Sequence, residues 1–125
     1  MSVLVDSSVW IEYFRSGNNY AQVDFLIDEN LVVTNDLILA ELTPFLKIRK
    51  QNNLVELLHN IDKLTFNINW DQINDLQYLC LQNGLNGVGI PDLIIVQNAI
   101  QNLSKIYSLD KHFSSMCGFL HFEIF

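Results

Sequence analysis

Four carboxylates separated widely along the chain, Asp6, Glu41, Asp92 and Asp110, are the residues whose types and placement suggest chemistry. Acids held a few ångströms apart repel one another and raise each other's pKa, so a cluster of them is costly unless cations occupy it. Oxygen-only donors favour Mg²⁺, with Mn²⁺ as a substitute, over zinc or copper. Such ions polarise a phosphodiester, help convert water to hydroxide and stabilise a leaving 3′ oxygen during in-line displacement. The chemistry implied by a joined cluster is phosphodiester hydrolysis.

Joining them is the task of the elements between. Residues 2–5 are apolar, β-branched and too few for a helix, which predicts a buried central strand that Asp6 ends. Ser7 or Ser8 then caps a helix to about Arg15, with Val9, Trp10, Tyr13 and Phe14 as its apolar stripe and Gly17 as its stop. A helix over 20–29 leads into a second strand over 31–34. Asn35 or Asp36 caps the next helix, which carries Glu41 among largely buried neighbours and which Pro44 should bend or restart.

Further helices are expected over 52–61 and 70–81, with a third strand over 63–68 between them. After a glycine-rich turn, Pro91 starts a helix with Asp92 in its first turn. Leu93, Val96, Ile100 and Leu103 face inward there, and Gln97, Asn98, Gln101 and Asn102 outward. A fourth strand over 105–109 ends at Asp110, a short helix covers 111–116, and a fifth strand closes over 119–124. The alternation defines α/β architecture: one domain over 1–125, with a mainly parallel sheet of four to five strands flanked by helices. Ligands of such sheets bind at the carboxyl ends of the strands, where Asp6 and Asp110 stand.

Bulk properties limit the alternatives. A chain of 125 residues holds one hydrophobic core, and 50% apolar content with 17% charged residues excludes a disordered composition. The net charge of −7 argues by itself against a nucleic-acid partner, although bound divalent cations reverse the local sign. Cys80 and Cys117 lack metal-ligand spacing and read as buried, reduced thiols. With no apolar run near the ~20 residues of a membrane span and an acid already at position 6, the expected location is cytoplasmic, away from the membrane.

Each acid alone is more often a cap or a solvated turn residue, and only the joint pattern reverses that reading. Asp36 is read as a candidate cap, and Asp24, Asp28, Asp62, Asp71, Asp75, Glu12 and Glu56 as solvated. Lys47, Arg49 and Lys50 form the sole basic cluster and are candidate RNA contacts, although a solvated helix end is the plainer use. Lys111 and His112 follow Asp110 closely enough to reach a phosphate, again with the surface as the plainer use, while His59 and His121 receive no role. The aromatics Trp10, Tyr13, Phe14, Phe119, Phe122 and Phe125 are assigned mostly to the core rather than to base stacking or a dimer contact.

Along essentially its whole length the chain resembles the PIN-domain family, and the VapC-type toxins within it. Four segments carry the likeness: residues 3–11 (Val-Leu-Val-Asp-Ser-Ser-Val-Trp-Ile), 39–42 (Leu-Ala-Glu-Leu), 90–95 (Ile-Pro-Asp-Leu-Ile-Ile) and 107–113 (Tyr-Ser-Leu-Asp-Lys-His-Phe). The resemblance implies a metal-dependent endoribonuclease with Asp6, Glu41, Asp92 and Asp110 as Mg²⁺ ligands and Ser8 hydrogen-bonded to an acid or a metal-held water. Ser108 takes a position where the family often has Thr. It further implies a homodimer, inhibition by a small antitoxin that inserts a segment across the acidic groove, and cleavage of structured RNA, often tRNA.

Three other readings were weighed. A phosphoacceptor signalling domain wants an acid pair after the first strand and a Lys after the last, and neither is present. A haloacid-dehalogenase-type phosphatase needs an Asp at position 8, which is Ser8. A PIN-shaped module kept only for protein binding has no use for four acids that destabilise it without a cation.

Overall fold

The computed structural model describes residues 1–125, and its sheet is built outward from β1 (Val3–Val5), whose three residues are wholly buried. β1 pairs in parallel with β2 (Val32–Val33) on one side and β3 (Lys105–Tyr107) on the other, giving the order β2-β1-β3. A strand with a parallel neighbour on each side and helices over both faces must be apolar throughout, as Val-Leu-Val is. The chain leaves β1 toward β2 and returns to the opposite flank for β3, so strand order reverses at β1 and Asp6 stands at the reversal point.

Seven helices complete the fold: α1 (Ser7–Arg15), α2 (Tyr20–Asp28), α3 (Asp36–Ile48), α4 (Asn52–His59), α5 (Trp70–Gln82), α6 (Ile90–Gln101) and α7 (Lys111–Leu120). α1 ends at Gly17, whose φ of +70° is a left-handed conformation that a Cβ would strain. Asn35 rather than Asp36 caps α3, its side chain accepting from the Ile38 N–H at 2.8 Å, while Asp36 pairs with Lys63. Pro44 does not end α3, which continues to Ile48. Buried Leu39, Leu42 and Leu46 hold the helix against the core on both sides of the proline and offset the lost backbone hydrogen bond.

The sheet is narrower than the four to five strands expected. The outer two reduce to single parallel bridges, Thr34 with Lys63 and Ile106 with Ile124. Beyond Leu64 the backbone carbonyls are taken by amide side chains of α6. Asn98 donates to the Thr65 carbonyl at 3.0 Å, Gln101 to that of Asn67 at 2.8 Å, and Gln97 to that of Asn69 at 3.0 Å. Alternate carbonyls of an extended segment point the same way, so one helix face collects all three. At the other edge α7 runs to Leu120 and stops at left-handed His121, which places Phe119 in a helix and leaves only Ile124 to pair.

Gln97 and Asn98 are therefore buried, 2% and 1% exposed, contrary to their expected outward placement, and Leu103 is 90% exposed rather than inward. α6 is the central helix, covered nearly all round, so polar residues on it survive only by being hydrogen-bonded. Asn98 also accepts from the Asn35 side chain at 2.9 Å, which ties the start of α3 to α6. Asn98→Ala strands the Asn35 amide and the Thr65 carbonyl and is expected to lower unfolding stability by about 2 kcal/mol. An unchanged urea midpoint would show that this bridge contributes nothing. Cys80 is buried as expected, while Cys117 is only half-buried.

Candidate active site

Asp6 occupies the N-cap position of α1, yet its carboxylate does not cap the helix. Its Oδ2 accepts from the Ser8 and Ser108 hydroxyls, each at 2.8 Å, and the residue is 6% exposed. Ser8 comes from the first turn of α1 and Ser108 from the residue after β3, so adjacent strands converge on one oxygen. The Leu109 N–H donates to Ser8 Oγ at 3.1 Å and the Asp110 N–H to Ser108 Oγ at 3.0 Å. Those bonds draw Ser108 and Leu109 out of the ladder, which is why the expected strand over 105–109 ends at Tyr107.

The other acids approach from three helices. Glu41 lies on the solvent side of α3 rather than among buried neighbours, with its carboxyl turned toward Asp6 and Asp92. Partial desolvation against the protein wall, then the charges of Asp6 and Asp92, push its pKa up, while a hydrogen bond from the Ser7 side chain pulls it back. Asp92, in the first turn of α6, is likewise raised, first by desolvation and then by Asp110 and Asp6. His112 and the Gly89 backbone N–H oppose that rise. Asp110 caps α7, its Oδ1 accepting from the His112 N–H at 2.9 Å. The structure thus gathers Asp6, Glu41, Asp92 and Asp110, with Ser8 and Ser108, at the carboxyl edge of the sheet.

Carboxylate oxygens of Asp92 and Asp110 and a ring nitrogen of His112 lie within 4.8 Å of one another, a grouping able to hold a metal ion. His112, expected at the surface or within reach of a phosphate, stands instead beside Asp92 and Asp110, and its spacing from Asp110 on one turn is the sequence signal for that.

The basic residues lie elsewhere. Lys47, Arg49 and Lys50 sit at the far end of α3, roughly 9 Å or more along the helix from Glu41 at 1.5 Å per residue. Arg49 lies over the Phe45 ring at 4.4 Å. Lys111 is exposed beside Asp110. Asp24 is not simply solvated, since the Tyr13 hydroxyl donates to it at 2.6 Å.

Away from the acids, an apolar groove of about 370 Å³ opens along α1 between α2 and α4. Trp10, Tyr13 and Phe14 line it with Ile27, Leu54 and Leu57. Trp10 is buried, but Tyr13 and Phe14 are only half-buried, so these aromatics are partly a surface and not wholly core.

A three-layered α/β fold with a cluster of acids at the strand-order reversal defines the class of protein. The sequence from residue 3 to residue 118 matches the PIN domain, and the chain belongs to the PIN-domain family, a family of nucleases. Among curated protein sequences none matches it. Among solved structures it is similar to VapBC2 from Rickettsia felis, bound to a DNA fragment from the promoter, at TM-score 0.74 and 16% identity, with 93% of each chain covered. It is also similar to VapC20 of Mycobacterium tuberculosis, a sarcin-ricin-loop-cleaving toxin, at TM-score 0.60 and 15% identity, with 91% of this chain and 94% of the other covered. At those identities the likeness is one of fold.

Proposed function

We propose that the protein is a divalent-metal-dependent endoribonuclease, the toxin of a type II toxin-antitoxin pair, acting in the cytoplasm on structured RNA, with tRNA as the candidate target. The observation that carries the reading is the convergence of four acids from four distant parts of the chain, two of them raised in pKa by desolvation and then by the charges of the others. The donor set fits a hard divalent cation, Mg²⁺ or Mn²⁺. When bound, the ion supplies Lewis-acid polarisation of the phosphodiester and positive charge for the departing 3′ oxygen.

The chain's own residues do the rest. Asp6, Asp92, Asp110 and Glu41 would hold the ion, and Ser8 and Ser108 fix the Asp6 carboxylate through Oδ2, which leaves its other oxygen available as a ligand. Lys111, with Lys47, Arg49 and Lys50 farther out, is assigned to RNA phosphates. No helix is long and apolar enough to cross a membrane. The test is cleavage of RNA with and without chelator, by wild type and by Asp92→Asn.

The apolar groove along α1 supports the second half of the reading. A small antitoxin with an apolar helix would seat there and extend along α1 toward Ser8 and the acids. Leu57, 63% exposed on its rim, has no evident role in the monomer. Leu57→Glu is expected to leave thermal stability within a few degrees and to weaken capture of the adjacent gene's product roughly thirtyfold or more, the effect of a hot-spot residue. Calorimetric titration showing equal affinity would remove the groove from the interface. A homodimer completes the proposal by family resemblance.

A further inference from the structure

We infer that His112 is a metal ligand, supplying a ring nitrogen beside the carboxylates of Asp92 and Asp110, and that the site consequently selects Mn²⁺ over Mg²⁺. The inference rests on the reading of the acidic cleft as a metal site and replaces the oxygen-only donor set that the four acids alone suggest.

The geometry is local. Asp110 and His112 share the first turn of α7, where the Asp110 side chain accepts from the His112 backbone N–H at 2.9 Å. That cap fixes the backbone beneath the imidazole and leaves the ring to face the cleft, with Nδ1 3.5 Å from Asp110 Oδ1. The three donor groups lie within 4.8 Å of one another. An ion bound at roughly 2.1 Å holds its donors no more than about 4.3 Å apart, so each side chain needs to move by only a fraction of an ångström. His112 is half-buried, with no partner drawing the ring away from the cleft. Lys111, its neighbour, cannot serve, because an ammonium offers no lone pair.

Selectivity follows from donor chemistry. Mg²⁺ prefers oxygen in near-ideal octahedra and holds its waters, whereas imidazole nitrogen suits first-row transition ions. One nitrogen among carboxylates therefore strengthens Mn²⁺ binding and does little for Mg²⁺.

The experiment is calorimetric titration of the full chain with Mn²⁺ alone and Mg²⁺ alone, for wild type and His112→Ala, with pulsed electron paramagnetic resonance of the Mn²⁺ complexes. Wild type is expected to show nitrogen modulation from a directly bound imidazole, and His112→Ala to lose it. The variant is expected to bind Mn²⁺ about tenfold more weakly or worse, with Mg²⁺ affinity within about threefold of wild type. Mn²⁺ bound to wild type without nitrogen coupling overturns the role of His112 and leaves the acidic metal site standing. Equal weakening of both ions in the variant also overturns the selectivity. Binding of neither ion to wild type overturns the metal site itself and this inference with it. The wild-type spectrum decides the ligand assignment even if the variant folds poorly.

Discussion

Asp92→Asn is expected to yield a protein that melts a few degrees higher without metal and no longer cleaves RNA. The two effects share one cause. The Asp92 carboxyl is partly desolvated and faces Asp110 and Asp6, so its charge is unfavourable in the folded chain and largely free of that repulsion in the unfolded one. An amide keeps the shape and removes the charge. Because the group is partly exposed and its repulsion is screened by solvent, the gain is expected to amount to a rise of only a few degrees in melting temperature. On the proposed reading the lost carboxylate would also remove a ligand whose charge places the ion, and about 4 kcal/mol of lost transition-state stabilisation corresponds to a roughly thousandfold slower cleavage. Stability gained at the expense of activity is what a functional charge cluster predicts and a purely structural one does not. Cleavage equal to wild type, measured on the same RNA with metal present, would reject the assigned chemistry.

Metal and pH should act on stability in opposite directions. Glu41 and Asp92 both have pKa values raised in the folded state, so between the ordinary carboxylate range and those raised values the native chain binds more protons than the unfolded one. By linkage, stability from these two groups falls as pH rises through that window and stays low above it. Metal-free protein is therefore expected to lose melting temperature as pH rises from the ordinary carboxylate range through those raised values, and Glu41→Gln combined with Asp92→Asn to flatten the loss. A divalent ion replaces the protons. At about a hundredfold excess over Kd it adds roughly 2.7 kcal/mol, a rise on the order of 10 °C. Because protons compete for the same oxygens, the rise should be larger at pH 7.5 than at pH 5. A melting curve indifferent to Mn²⁺ at pH 7.5 would count directly against the cleft as a cation site.

Much of the architecture was legible because local chemistry and tertiary packing agreed. Val3–Val5 is apolar without interruption, as only a central parallel strand requires, and Asp6 cannot continue it. The caps, the stop at Gly17 and the stripes of α1 and α5 are short-range signals that the fold leaves intact. The errors fall where a residue's partner is distant. Gln97 and Asn98 look like a solvated face until the carbonyls of Thr65 and Asn69 are laid against them. The same bonds turn the expected strand after Lys63 into an unpaired extended segment, since a backbone carbonyl engaged by a side chain is not available to a neighbouring strand. Lys63 to Ile68 carries no local mark of that competition.

The site divides along the same line. Sequence alone determined which acids were present, their order along the chain and their positions, three at strand ends or helix starts and Glu41 within a helix, because those positions depend on patterns a few residues long. Tertiary structure decided that Ser108 reaches across to share Asp6 with Ser8, and that the ring of His112 joins Asp92. Those relations depend on distances of a few ångströms between residues up to a hundred positions apart, and such distances are set only when the whole chain has packed.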